Sequence, residues 1–166
     1  RTHDSDRMHM QSVFRRAYEH RGAAFIEVYQ NCNVFNDGAY DDLLTRDNRA
    51  DMLIPLEHGK QVRFGADGGR GVLQNEDAEL VTGEVAEMGE EHLLVHDEHR
   101  PDPTLAFALS RLSSTPHEPT PIGVFRDVSR PVYEEEVQAQ VDAEVARSGR
   151  GKLADLISSG ATWTVD

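Results

Sequence analysis

Ala23-Ala24-Phe25-Ile26-Glu27-Val28-Tyr29 is the stretch on which the fold turns, together with the polar run Gln30-Asn31-Cys32-Asn33 that follows it. Seven residues with one acid, bounded by Gly22 and a turn-forming loop, suit a strand covered on both faces, as in a parallel sheet. Upstream, Met10, Val13, Phe14, Ala17 and Tyr18 fall at i, i+3, i+4, i+7 and i+8, with Arg15, Arg16 and Glu19 opposite. That spacing predicts a core-packing helix, capped by Asp4 or Ser5 and ended by Gly22. Helix followed by buried strand is half of a βαβ unit. The opening strand is expected to be missing, and the start at Arg1, without methionine, points the same way.

Downstream, Gln30 to Gly38 reads as a loop rich in asparagine. Asp37 is expected to cap a short helix from Ala39 to about Arg46. Met52, Leu53, Ile54 and Leu56 look buried, and Pro55 forbids a helix there. From Gly59 short apolar runs alternate with glycines, which predicts a small antiparallel sheet with strands near 60–65, 70–75, 79–87 and 92–96. Asp102-Pro103 opens a helix expected to run to about Ser113. Thr115 to Pro121 is a linker with three prolines, Ile122 to Val128 a strand, and Tyr133 to Ser148 a helix with the narrow stripe Val137, Val141, Val145. That stripe suits a surface or a partner. Lys152 to Ser159 should form a last short helix, and Trp163 in the tail should be docked.

The chain has 166 residues, enough for one domain and too few for two of ordinary size. Seventeen basic against thirty acidic residues give a net charge of −13. That balance disfavours nucleic acid and anionic membrane surfaces as partners. No apolar run approaches the length of a membrane span. One cysteine excludes an internal disulfide framework and fits a reducing, cytoplasmic setting.

Cys32 is the first candidate for chemistry, because ligands of open α/β sheets bind at the carboxyl ends of strands. Asn31 and Asn33 flank it, and no nearby Lys, Arg or His would stabilise a thiolate. As a ligand of zinc or of an iron–sulfur centre it would be one of about four. As a packing residue it needs no partner at all. His96-Asp97-Glu98-His99 looks like a metal cluster, yet matches no established ligand spacing and reads more simply as a solvated turn. Gly65 to Gly71 lacks the context of a phosphate loop and reads as a hairpin turn. Glu134 to Glu136 suit a helix start, and Glu84, Glu87, Glu90 and Glu91 a solvated edge.

Arg21 through Ala39, centred on Asn31-Cys32-Asn33, resembles the beta subunit of 2-oxoacid:ferredoxin oxidoreductases, most like the 2-oxoglutarate type. The likeness continues through Asp51-Met52-Leu53-Ile54-Pro55-Leu56, Arg63-Phe64-Gly65, Leu94-Val95-His96-Asp97-Glu98, Leu105 to Leu112, Pro121 to Arg126 and Thr162-Trp163-Thr164-Val165, so it spans essentially the whole chain. The resemblance implies an α/β fold: residues 1–56 the end of a thiamine-diphosphate-binding domain, residues 57–166 a small α+β carboxyl-terminal extension. It implies oxidative decarboxylation of a 2-oxoacid to an acyl-coenzyme A, with thiamine diphosphate, Mg2+ and a 4Fe-4S cluster passing electrons to ferredoxin. It also implies an alpha subunit as partner, and Cys32 as one cluster ligand. Amides near Cys32, that of Asn33 among them, would donate to cluster sulfurs. The family's Gly-Asp-Gly segment for diphosphate and magnesium is absent, as are three further cysteines, so this stretch alone is expected to be inactive. Two other readings stand beside it: a non-catalytic assembly module of a multisubunit complex, and a stand-alone thiol enzyme.

Overall fold

A computed structural model describes residues 1–113, 115, 117–163 and 165; Ser114, Pro116, Thr164 and Asp166 lie outside the described residues. Pro116 of the proline linker and Thr164 of the tail are therefore not assigned. Contacts divide the chain into two units, residues 1–20 with 24–129, and residues 21–23 with 130–166.

In the first unit β1 (Thr2–His3), α1 (Arg7–Glu19) and β2 (Val28–Tyr29) form a complete βαβ unit. The strands are parallel, with Thr2 opposite Val28 and His3 opposite Tyr29. The opening strand expected to be missing is thus present. Its two polar residues carry no hydrophobic signal, yet both are buried. The cap of α1 is Asp6, whose carboxylate accepts the His9 amide at 3.0 Å. Asp4 and Ser5 are otherwise committed: the Asp4 amide extends the ladder to the Tyr29 carbonyl, and Ser5 Oγ pairs with His3 Nδ1. Two expectations fail here. Of the α1 stripe only Val13 is buried, and the strand in 23–29 shrinks to its last two residues, with Phe25 92% exposed. Periodicity shows which face is apolar; β1 and α1 alone do not supply what would cover it.

The helix expected over Ala39–Arg46 is one turn, α2 (Asp41–Leu44), without a side-chain cap because Asp37 is engaged elsewhere. A second turn, α3 (Arg49–Met52), leads into β3 (Leu53–Leu56). β3 pairs in parallel with β7 (Thr120–Gly123), in register from Leu53 opposite Thr120 to Leu56 opposite Gly123. β7 starts two residues before the expected strand and stops at Gly123, whose φ of +116° ends the extended run. A Cβ there would lie 2.8 Å from the Leu56 carbonyl oxygen, so only glycine fits. Backbone hydrogen bonds between Arg1 and Gly123 join the two parallel pairs.

β4 (Arg63–Phe64), β5 (Arg70–Gln74) and β6 (Leu80–Glu84) form the expected antiparallel sheet in sequential order. The glycine-rich segment is its first hairpin, with Gly65 and Gly68 at positive φ. The fourth expected strand is reduced to bridges of Leu93 to Leu73 and Val95 to Gln61. β6 ends early because Val85–Met88 turns into α4, followed by a 3-10 turn at Glu90–His92. α5 (Thr104–Ser110) begins where Asp102 accepts the Thr104 amide at 2.7 Å, and is shorter than expected. Ile54, Leu56, Val62, Phe64, Val72, Leu105 and Leu109 make the main core between α5, β3 and the antiparallel sheet. Leu43, Leu53 and Ile122 make a smaller one under α2. Residue 56/57, the border implied by the resemblance, falls inside this unit.

The second unit holds α6 (Tyr133–Ser148) and α7 (Leu153–Ile157). Arg21 pairs with Glu135, and the Arg130 amide bonds the Arg21 carbonyl. The three valines of the α6 stripe are all exposed. Trp163, expected to be docked, is 84% exposed. No residue described in this unit covers it. Among the described residues no helix is long and apolar enough to cross a membrane.

Candidate functional site

Cys32 lies just beyond the carboxyl end of β2, in a loop tied at several points. At its base Tyr29 stacks on Tyr40, with ring centres 4.6 Å apart and planes 10° from parallel. Across its middle the Asn31 side chain donates to Asp37 Oδ1 at 2.9 Å and accepts the Gly38 amide at 2.9 Å. Within it the Asn36 amide bonds the Cys32 carbonyl at 2.7 Å, closing a turn over residues 32–36. A cavity of about 330 Å3, lined by Tyr29, Asn36, Ala39, Tyr40 and Thr120 among others, lies beside the same loop.

The turn aims backbone amides at the thiol. The backbone N–H groups of Phe35 and Val34, beside the sulfur, hold the Cys32 thiol below its ordinary range. No basic side chain adjoins Cys32 in the sequence, where Asn31 and Asn33 flank it. The stabiliser of the thiolate is main chain, which no residue identity reveals. Asn31 does not supply its side-chain amide to the sulfur, since that group braces the loop.

One thiolate in a set of amide donors can accept hydrogen bonds or serve as one metal ligand. It fits a cluster ligand's surroundings, where N–H groups facing sulfur set the potential. A four-thiolate centre needs three more donors than this chain holds. The chain contains no Gly-Asp-Gly segment of the kind the resemblance associates with thiamine diphosphate and magnesium.

The segment from His96 to His99 is not a solvated turn. His96 is buried, and its Nε2 lies 2.8 Å from the Val124 carbonyl oxygen. Glu98 is buried too, and pairs at 2.8 Å with Arg16, whose same nitrogen reaches Asp127 at 2.7 Å. His20 completes the group against Asp127 at 2.7 Å. This network ties α1 to the segments after Val95 and after β7. Its partners lie 82 and 111 residues apart in sequence, beyond any local pattern. His99 remains exposed beside it, bonded to the Asp127 carbonyl.

Over 165 residues, 98% of its length, the chain is 39% identical to "2-oxoglutarate oxidoreductase subunit KorB" of Mycobacterium tuberculosis (strain ATCC 25618 / H37Rv). It spans 44% of that protein's length. The resemblance drawn from the sequence is borne out by this similarity. No protein-family model and no solved structure matches the chain.

Proposed function

We propose that this chain, a homologue of KorB over nearly its whole length, works as part of the beta subunit of a 2-oxoglutarate:ferredoxin oxidoreductase. The observation that carries this reading is the 39% identity over 165 residues, 98% of the chain. The reaction is oxidative decarboxylation of the 2-oxoacid to its acyl-coenzyme A, with an alpha subunit as partner and ferredoxin as electron acceptor. Thiamine diphosphate and Mg2+ are held by residues outside this chain.

Within that reaction Cys32 is a ligand to a 4Fe-4S cluster. The cluster, when bound, supplies one-electron transfer. The chain's own work is to lower the thiol's pKa through nearby backbone amides and to fix its position through the Asn31 brace and the Tyr29–Tyr40 stack. Each donated N–H stabilises the more negative, reduced charge state, which raises the potential.

The reading is tested with the full-length subunit and its partner, purified without oxygen. Reduction of ferredoxin should require both 2-oxoglutarate and coenzyme A, and pyruvate should substitute poorly. Turnover with pyruvate and not 2-oxoglutarate would overturn the substrate assignment. Absence of turnover with any 2-oxoacid, in a subunit that still assembles with its partner, would leave the assembly-module reading in its place.

A further inference from the structure

His58, in the loop after β3, and Glu98 with His99, in the segment after Val95, bring three ligand atoms within 4.8 Å of one another. His99 Nδ1 lies 2.8 Å from the Asp127 carbonyl oxygen. A carbonyl only accepts, so Nδ1 carries the proton and donates it. In the neutral ring Nε2 is then a bare lone pair, and it faces Glu98 Oε1 at 3.5 Å. Glu98 Oε1 also accepts from Arg16 at 2.8 Å, so an ion in this gap would share that oxygen with the guanidinium. Two ligands on a tetrahedral zinc ion, each about 2.0–2.1 Å from the metal, stand about 3.3 Å apart. The gap therefore matches a shared metal.

We propose that His58, Glu98 and His99 form a binding site for a divalent transition-metal ion, with Zn2+ the ion whose ligand chemistry they fit. The set is two imidazoles and one carboxylate, without sulfur, and it is separate from Cys32. The carboxylate is oriented in advance: Glu98 is buried, and Arg16 holds it while also holding Asp127. The Asp127 amide in turn bonds the Glu98 carbonyl at 2.6 Å. The His58 and His99 rings lie 4.6 Å apart, so moderate rotation brings a His58 nitrogen to the same ion. Both imidazoles are exposed, which leaves the remaining coordination position to water. The partner of His99 in the site is His58 and not His96, whose Nε2 is spent on Val124. A metal here staples two segments that meet only through the fold, the loops after β3 and after Val95, while the segment after β7 orients His99 through the Asp127 carbonyl. The competing occupant of the gap is a proton on His99, held between Glu98 and the Asp127 carbonyl.

The test uses the full-length subunit with its partner, titrated with Zn2+ alone, comparing wild type with His58→Ala and His99→Ala. Wild type should bind one equivalent that is lost in either variant, with affinity falling by at least about 100-fold, beyond what loss of an orienting group alone costs. Zinc-edge X-ray absorption of the wild type should show nitrogen and oxygen neighbours only. Iron content and circular dichroism should not change. Zinc affinity equal in all three proteins, sulfur in the zinc shell, or no zinc held by wild type at micromolar free metal would each overturn the proposal and leave the protonated His99 in the gap. Both histidines are exposed, so neither variant is expected to unfold the chain.

Discussion

At the scale of single residues, the loop around Cys32 turns a neutral sequence into an electropositive setting for a thiol. Its residue and its place past a strand are legible in the sequence. The Phe35 and Val34 amides beside it are not, because any residue contributes the same N–H and only the turn closed by Asn36 places it. Asn31→Ala should loosen that turn by freeing Asp37 and Gly38. In the cluster-free subunit the apparent pKa of Cys32 alkylation should then rise toward that of an ordinary cysteine, and an unchanged profile would separate the brace from the thiol. At Gly123 backbone freedom is mandatory: φ is +116° and a Cβ would sit 2.8 Å from the Leu56 carbonyl. Gly123→Ala should cost about 1–3 kcal/mol in denaturant unfolding.

Elements formed where sequence patterns were self-sufficient and shortened where they leaned on something else. α6 follows its pattern from Tyr133 to Ser148, with Glu134 to Glu136 favouring its amino end. α5 buries Leu105 and Leu109 as its spacing implies, and Leu109→Ala should cost about 2–5 kcal/mol because the side chain is wholly buried. The strand in 23–29 and the α1 stripe are the counter-examples: their apolar residues are real, but only Val13 among them is buried. The ties between α1, Glu98 and Asp127 could not be read at all, since ion pairs across 80 residues or more leave no periodicity. They make a definite statement about pH. The hydrogen bond from Arg16, before the one from His20, holds the Asp127 carboxyl below the usual range. A depressed carboxyl contributes stability that is whole above the unfolded value, about pH 4, and is lost as pH falls through the lower folded value. Asp127→Asn should therefore be less stable than wild type at neutral pH, with the gap closing in acid. A gap constant from pH 7 to pH 2 would contradict that.

For the whole molecule, a net charge of −13 and 44% coverage of KorB bear on how the chain works. An acidic surface repels an acidic electron carrier, so ferredoxin reduction should not be strengthened at low salt by this chain's charge. The fold class was legible as a mixture of parallel and antiparallel parts, because buried runs and glycine-punctuated runs differ in texture. The division into units was not, because it follows contacts between Arg21 and the segment from Arg130 onward that sequence does not announce. The valine stripe of α6 offers a check on assembly. Val137→Ala, Val141→Ala and Val145→Ala together should raise helicity in an isolated peptide, since alanine is the better helix former. The same changes should weaken co-purification with the alpha subunit if that stripe is the contact.

The most direct measurement compares wild type with Cys32→Ala in the full-length subunit, co-expressed with its partner under anaerobic conditions. Iron content and visible charge-transfer absorption are recorded for both. Wild type should carry a cluster, and the variant should lose iron and colour while still assembling. A Cys32→Ala protein that keeps full iron and an unchanged spectrum would contradict it, and would make Cys32 a packing residue of its loop.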